Sequence, residues 1–235
     1  MTRVCIFRHG QADSLGKNYD TLTNLGYLQA RRLGEYLVRM QIRPDYLASG
    51  SLQRQIQTLQ EIRNTLELAG ISTPEPVVHE ELNEFDGNLW KKMAQKISES
   101  NEEFGELLER YRHLQQNGDP ACKKWFPRII HLILKEWIEG SHQDIYPFET
   151  YHNKVLSVLD KIPKRSQQCL LATSATPVAI LAGYSLQLPK ERYLPLMKVI
   201  SNTSYNVFDW KKGVLSPITL NSYPHIQEPE EFSLM

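Results

Sequence analysis

Short apolar runs alternate with longer amphipathic ones along most of this 235-residue chain. "TRVCIF", Thr2 to Phe7, is β-branched and apolar and predicts a buried strand that runs straight into Arg8-His9-Gly10. A polar loop follows to Leu22. Thr23 is placed to cap a helix whose core-facing residues would be Leu25, Leu28, Leu33, Leu37 and Met40. Pro44 opens a second short strand, "DYLAS". A helix then runs from about Leu52 to Leu68 and stops at Gly70, and "EPVVHE" predicts a third strand.

The pattern changes over about 92–162. Met93, Ile97, Phe104, Leu108, Tyr111 and Leu114 lie at helical spacing up to the breaker Gly118-Asp119-Pro120. Trp125, Ile129, Ile133 and Trp137 form an i, i+4 stripe that ends at Gly140, and Pro147 opens a further helix carrying Tyr151, Val155, Val158, Leu159 and Ile162. These stripes predict core packing. "CLLA", Cys169 to Ala172, returns to strand character. It leads through Thr173-Ser174-Ala175-Thr176 into a new apolar run, with Thr176 expected at a helix N-cap and Pro177 at its first position. "PLMKVI" is a further apolar run, and "SYNVFDW" and "VLSPITL" flank Lys211-Lys212-Gly213 as a hairpin. The tail from Pro224 is polar and acidic and is expected to be loose. Strands and helices alternate at both ends around a helical block. That order predicts an α/β fold: three layers, α/β/α, with a mainly parallel sheet, one domain over 1–235, a helical insertion at about 92–162 and a tail at about 224–235.

Composition narrows the function classes. Lys+Arg and Asp+Glu are both 27, so bulk charge draws the chain neither to nucleic acid nor to a membrane surface. No apolar run approaches the ~18 residues a membrane span needs, and the N-terminus lacks signal-peptide character. Cys5, Cys122 and Cys169 are far apart and odd in number. They predict buried apolar filler at Cys5 and Cys169, no zinc, and a reducing, cytoplasmic setting.

The candidate chemistry starts at "FRHGQAD". Arg and His together at the carboxyl end of a strand put a guanidinium and an imidazole in one crevice, and Gly10 allows close backbone approach. In "SGSLQRQIQT", Ser49 to Thr58, a second strand ends and Arg54 lies on the first turn of the next helix, where anions are already attracted. Arg8 and Arg54 make two planar forks for one phosphate. In these motifs, together with "LTNLGYLQARRLGEYL" at Leu22 to Leu37, "LNE" at Leu82 to Glu84 and "TLNSYPHI" near the end, the sequence resembles the histidine phosphatase superfamily, also called phosphoglycerate mutase-like.

The resemblance implies roles residue by residue. His9 would be the nucleophile and form a phosphohistidine. Arg8 and Arg54 would bind the phosphoryl oxygens. Glu84 would protonate the leaving alcohol and later activate water. Where the family carries a second phosphate-binding histidine in a pattern like S-H-G-G, this sequence has Ser174, followed by Ala175 and Thr176. Ser174 offers one hydroxyl donor in place of a cationic ring. His79, His142, His152 and His225 are the other histidines considered, and no spacing selects one of them as a replacement.

The resemblance implies a phosphatase for a small phosphorylated metabolite, with no cofactor and no metal, slowed or retuned by Ser174. The alternative is a pseudoenzyme that binds a phosphorylated ligand or a partner without turnover. A mutase is the weakest reading, because the W-N-x-x-x-x-F-x-G-W type segment of cofactor-dependent mutases corresponds here to "QADSLGKNYDTL", with no Trp. The substrate and the oligomeric state are not written in the sequence.

Overall fold

The computed structural model describes residues 1–13 and 20–234. Much of the loop between His9 and Leu22 lies outside the described residues. They fall into two compact units: Met1–Glu84 with Lys154–Met235, and Phe85–Asn153.

The first unit is built on a six-stranded sheet. Its strands are β1 (Thr2–Arg8), β2 (Tyr46–Ser49), β3 (Val77–Val78), β4 (Gln168–Thr173), β5 (Tyr205–Lys211) and β6 (Val214–Ser222), in the order β3-β2-β4-β1-β5-β6. β3, β2, β4 and β1 are parallel, and β5 and β6 add an antiparallel edge. Period-two alternation sorts the strand residues onto two faces. Cys5, Phe7, Leu47, Leu170, Ala172 and Val207 pack with Ala30, Leu33 and Leu37 of α1 (Asn24–Arg39) and Leu59, Ile62 and Leu66 of α2 (Gln53–Leu68). The helix from Ala175 to Ser185 packs against β1 and β6. The result is the expected three-layer, mainly parallel α/β fold.

α1 carries a correction. Thr23 caps it, accepting from the Gly26 amide, but Leu25 and Leu28 are only half-buried and Met40 is exposed. The buried stripe is Gly26, Gln29, Ala30, Leu33, Gly34 and Leu37. Two glycines and a glutamine carry it, so a count of apolar residues places it wrongly. A Cβ on Gly10 would collide with the Gly26 carbonyl, and one on Gly26 with Gln11. The two glycines therefore let the loop after β1 lie directly on the start of α1.

In the second unit the predicted long helix is two helices, α3 (Gly87–Ser100) and α4 (Glu102–Gln116), separated at Asn101, whose side chain caps the second. α5 (Cys122–Glu139) ends on Gly140 at φ 75°, a left-handed turn that suits glycine. Trp137 packs among Phe85, Phe148 and Tyr151 and donates its indole N–H to the Tyr146 carbonyl at 2.9 Å. α6 (Phe148–Leu156) opens after Pro147 as expected, and α7 (Val158–Lys161) leads back to β4.

The remaining helices are α8 (Ala175–Ser185) and α9 (Tyr193–Val199). Ser174, not Thr176, is the N-cap of α8, and Pro177 is the third helical residue. The first-turn N–H groups have no partner within the helix, so proline fits there as well as at the first position. "PLMKVI" lies mostly in α9, and the hairpin turns at Lys212 and Gly213, both at positive φ.

The tail is the second correction. Its backbone is recruited by buried side chains. Gln29 Nε2 donates to the Glu231 carbonyl at 2.7 Å, the Asn202 amide donates to the Ser233 carbonyl at 2.9 Å, and Arg8 Nη1 donates to the Leu234 carbonyl. Glu231 is buried and pairs with Arg32 at 3.3 Å. A polar, acidic composition does not report such backbone acceptors.

Candidate active site

β1, β4 and β2 are adjacent and parallel, with Arg8 opposite Thr173 and Ser49 opposite Ala172. Their carboxyl ends therefore open on one edge, the place where parallel α/β sheets hold ligands. Arg8 and His9 leave β1, Ser174 leaves β4, and Arg54 sits on the first turn of α2 just past β2.

His9 is buried and its ring is fixed at both nitrogens. Nδ1 lies 2.7 Å from the Gly10 carbonyl and Nε2 lies 3.1 Å from Arg54 Nε. A carbonyl only accepts and a guanidinium only donates, so Nδ1 carries the proton and Nε2 presents its lone pair. Burial holds the imidazole well below its ordinary pKa of 6.5. The charges of Arg8 and Arg54 act the same way, and the bond to Gly10 opposes them.

Both guanidiniums have internal partners. Arg54 Nη1 donates to Asp20 Oδ1 at 2.8 Å, and Asp20 Oδ2 accepts from the Gln53 amide at 2.9 Å. A carboxylate thus bridges an arginine and a helix start, as an anion would. Arg8 Nη1 donates to the Ile200 carbonyl at 2.7 Å as well as to Leu234.

Glu84 follows the short 3-10 turn Glu80–Leu82, and its Oε2 accepts from the Thr176 amide at 3.2 Å, at the start of α8. Ser174 is buried, and its Oγ lies 2.8 Å from Gln55 Nε2. The structure thus brings Arg8, His9 and Arg54 together, and places Glu84 and Ser174 on the β4–α8 side.

A second layer escaped the sequence reading. Asn202 Nδ2 donates to the His9 carbonyl at 3.0 Å, and the Thr203 amide donates to the Arg8 carbonyl at 3.0 Å. Thr203 has φ 53°, unusual for a β-branched residue. Its hydroxyl donates to the Asn202 carbonyl at 2.7 Å and so accepts from His225 Nε2 at 2.8 Å. Motif residues that had no assigned role hold the loop after His9: Thr58 Oγ1 accepts from the Gly10 amide at 3.0 Å, and Gln29 Oε1 accepts from the Gln11 amide at 2.8 Å. Their glutamine and threonine types inside an apolar helical pattern were the available signal. Of the other histidines, His79 bonds the Tyr46 hydroxyl at 2.5 Å, His142 lies 3.7 Å from Glu136, and His152 lies 3.1 Å from Asn153.

Cys5, Cys122 and Cys169 are free and buried. Burial pushes the Cys5 thiol up to about 11 and the Cys169 thiol to about 12, but Cys5 is not purely apolar filler, since its Sγ lies 3.2 Å from the Tyr205 hydroxyl and 3.1 Å from Gln168 Nε2. Among the described residues no three His, Cys, Asp or Glu side chains are grouped to hold a metal ion, and no helix is long and apolar enough to cross a membrane.

A strand-terminal imidazole beside two arginines on a parallel sheet edge marks an α/β protein with a candidate anion site. The family model described as "Histidine phosphatase superfamily (branch 1)" matches residues 4–123, just over half the chain, and the chain belongs to that superfamily. The fold is similar to phosphoserine phosphatase from Entamoeba histolytica (TM-score 0.59, 17% identity, covering 97% of this chain and 100% of that one). It is also similar to phosphoglycerate mutase from Bacillus anthracis (TM-score 0.58, 14% identity, 95% and 94%). A third similar structure is the alpha-ribazole phosphatase from Shigella flexneri (TM-score 0.56, 16% identity, 94% and 97%). No curated protein matches the chain by sequence.

Proposed function

We propose that this protein is a metal-independent phosphatase that hydrolyses a small phosphomonoester through a phosphohistidine at His9, with turnover limited by the absence of a second histidine. The observation that carries this reading is the His9 ring: buried, neutral, fixed by Gly10 and presenting Nε2 to Arg54 at 3.1 Å.

The steps follow from those atoms. A phosphoryl oxygen takes the Arg54 N–H that covers Nε2, and the freed lone pair attacks phosphorus. Arg8 and Arg54 take up the charge that gathers on the phosphoryl oxygens. Glu84 gives its proton to the departing alkoxide, so the P–O bond breaks as the P–N bond forms. Glu84 then takes a proton from water, whose oxygen attacks the phosphohistidine. Phosphate leaves and Nε2 recovers its lone pair. Ser174 gives one neutral hydrogen bond where the family pattern gives a charged one. Loss of one preorganised donor slows such a site on the order of 10²- to 10³-fold. The three free buried cysteines fit a reducing compartment, the cytoplasm.

The test is hydrolysis of an aryl phosphate by the wild-type chain and by His9→Ala. Turnover that disappears with His9 supports the reading, and turnover that persists overturns it. A second reading rests on Ser174 and on the bonds that already occupy Arg8 and Arg54. In it, the protein binds a phosphorylated ligand without turnover, and saturable phosphate binding with no hydrolysis would select it. Transfer of the phosphoryl group to a second alcohol, instead of water, would select a mutase.

A further inference from the structure

Ser174 holds one proton, and the direction of that proton sets what the hydroxyl does for an anion. Gln55 fixes the direction. It follows Arg54 on the first turn of α2 and is 0% exposed. Its Nε2 lies 2.9 Å from the Leu82 carbonyl and 2.8 Å from Ser174 Oγ. A backbone carbonyl only accepts, so the Gln55 atom facing Leu82 is the amide nitrogen, and the amide has one orientation. Both of its hydrogens are then committed, one to Leu82 and one to Ser174. Ser174 Oγ accepts, and its own proton points away from Gln55. Among the described residues that proton has no acceptor.

Two further observations set Ser174 apart from an ordinary helix cap. It is the N-cap of α8, yet its side chain makes no capping bond. Pro177 has no N–H, and the Thr176 amide goes to Glu84. At the other end of the Gln55 amide, Oε1 is buried and has no hydrogen-bond partner among the described residues. An orphaned buried carbonyl costs stability, and an aliphatic side chain would fill the same space without that cost.

We propose that Gln55 is a positioning residue for the substrate phosphate, acting through Ser174. Its amide occupies one lone pair of the hydroxyl and turns the Ser174 proton toward the anion held by Arg54 and His9. Consecutive residues of α2 thus serve the two sides of the site, with Arg54 reaching His9 and Gln55 reaching Ser174. This rests on the phosphatase reading above and names a neutral substitute for the missing ring.

The experiment is calorimetric titration of inorganic phosphate into four proteins: wild type, Gln55→Met, Ser174→Ala and the double variant, each checked by circular dichroism. Gln55→Leu replaces Gln55→Met if the latter does not fold. Each single change is expected to raise the phosphate Kd roughly 3- to 10-fold, and the double variant to be no weaker than the weaker single. The KM for an aryl phosphate should rise in parallel. Effects of the two changes that multiply, or an unchanged Kd in either single variant, overturn the proposal and leave the phosphatase reading standing. Wild-type protein that binds no phosphate overturns the phosphatase reading and this inference with it.

Discussion

His9 sits between two positive charges in a buried pocket, and this sets its behaviour with pH. Its pKa lies well below 6.5, so the ring should remain the neutral Nδ1–H tautomer at pH 6. An imidazole ¹⁵N NMR titration reads this directly, and a His9 ring that protonates near 6.5 would contradict it. Arg54 reaches Asp20 through Nη1 and His9 through Nε, a fork that lysine lacks. Arg54→Lys is therefore expected to lower kcat/KM by about 10²-fold, and steady-state kinetics showing less than a threefold loss would argue against the guanidinium geometry. Ser174→His has to displace the Gln55 amide 2.8 Å away. Alone it should gain little turnover, whereas paired with Gln55→Ala it should gain an order of magnitude or more if the pocket lacks charge. The convergence of Arg8, His9 and Arg54 was legible because Arg8 ends a strand, His9 follows it and Arg54 opens the helix after the next strand, and parallel strands end on one edge. The Gln55–Ser174 and Asp20–Arg54 contacts join positions 119 and 34 residues apart, and no local pattern marks such pairs.

At the scale of elements, periodicity placed the strands and helices well where apolar residues carried them. It failed in α1, where Gly26, Gln29 and Gly34 are buried for close approach and hydrogen bonding. It failed again in the tail, whose contribution is made by backbone carbonyls of Glu231, Ser233 and Leu234. The tail completes the partners of Gln29, Asn202 and Arg8, residues that adjoin the crevice. A chain stopped after Gln227 would remove both acceptors of Gln29 Nε2, the Glu231 carbonyl and the Ser233 hydroxyl, at a cost of about 0.5–1.5 kcal/mol for each bond. It should also leave Arg8 less well aimed. Such a chain is expected to melt lower and to bind phosphate at least fivefold more weakly. Equal phosphate affinity in the two chains would show that the tail only covers the fold.

For the whole molecule, the buried histidines His9, His152 and His225, each with its pKa lowered by burial, make stability fall in acid. Burial lowers the His225 pKa from 6.5 to about 4, with Glu231 opposing and Arg39 reinforcing the shift. Below 6.5 the unfolded chain binds protons that His9 and His225 do not bind when folded, so stability drops as pH falls and is unaffected above 6.5. Between 6.5 and about 4, His225 alone accounts for about 3 kcal/mol. Urea unfolding at pH 7 and pH 4.5 reads this loss, and His225→Gln should make it shallower by the His225 share, leaving those of His9 and His152. A profile equally steep in that variant would remove His225 as a cause. The central claim, chemistry at His9 with no metal, is tested most directly by trapping the intermediate. The protein is mixed with an aryl phosphate in excess chelator, quenched in alkali and analysed by peptide mass spectrometry. One phosphate on the peptide holding His9, absent from His9→Ala, is the result expected. Undiminished hydrolysis with no phosphate on His9, or hydrolysis lost with chelator and restored by a divalent ion, would contradict the account.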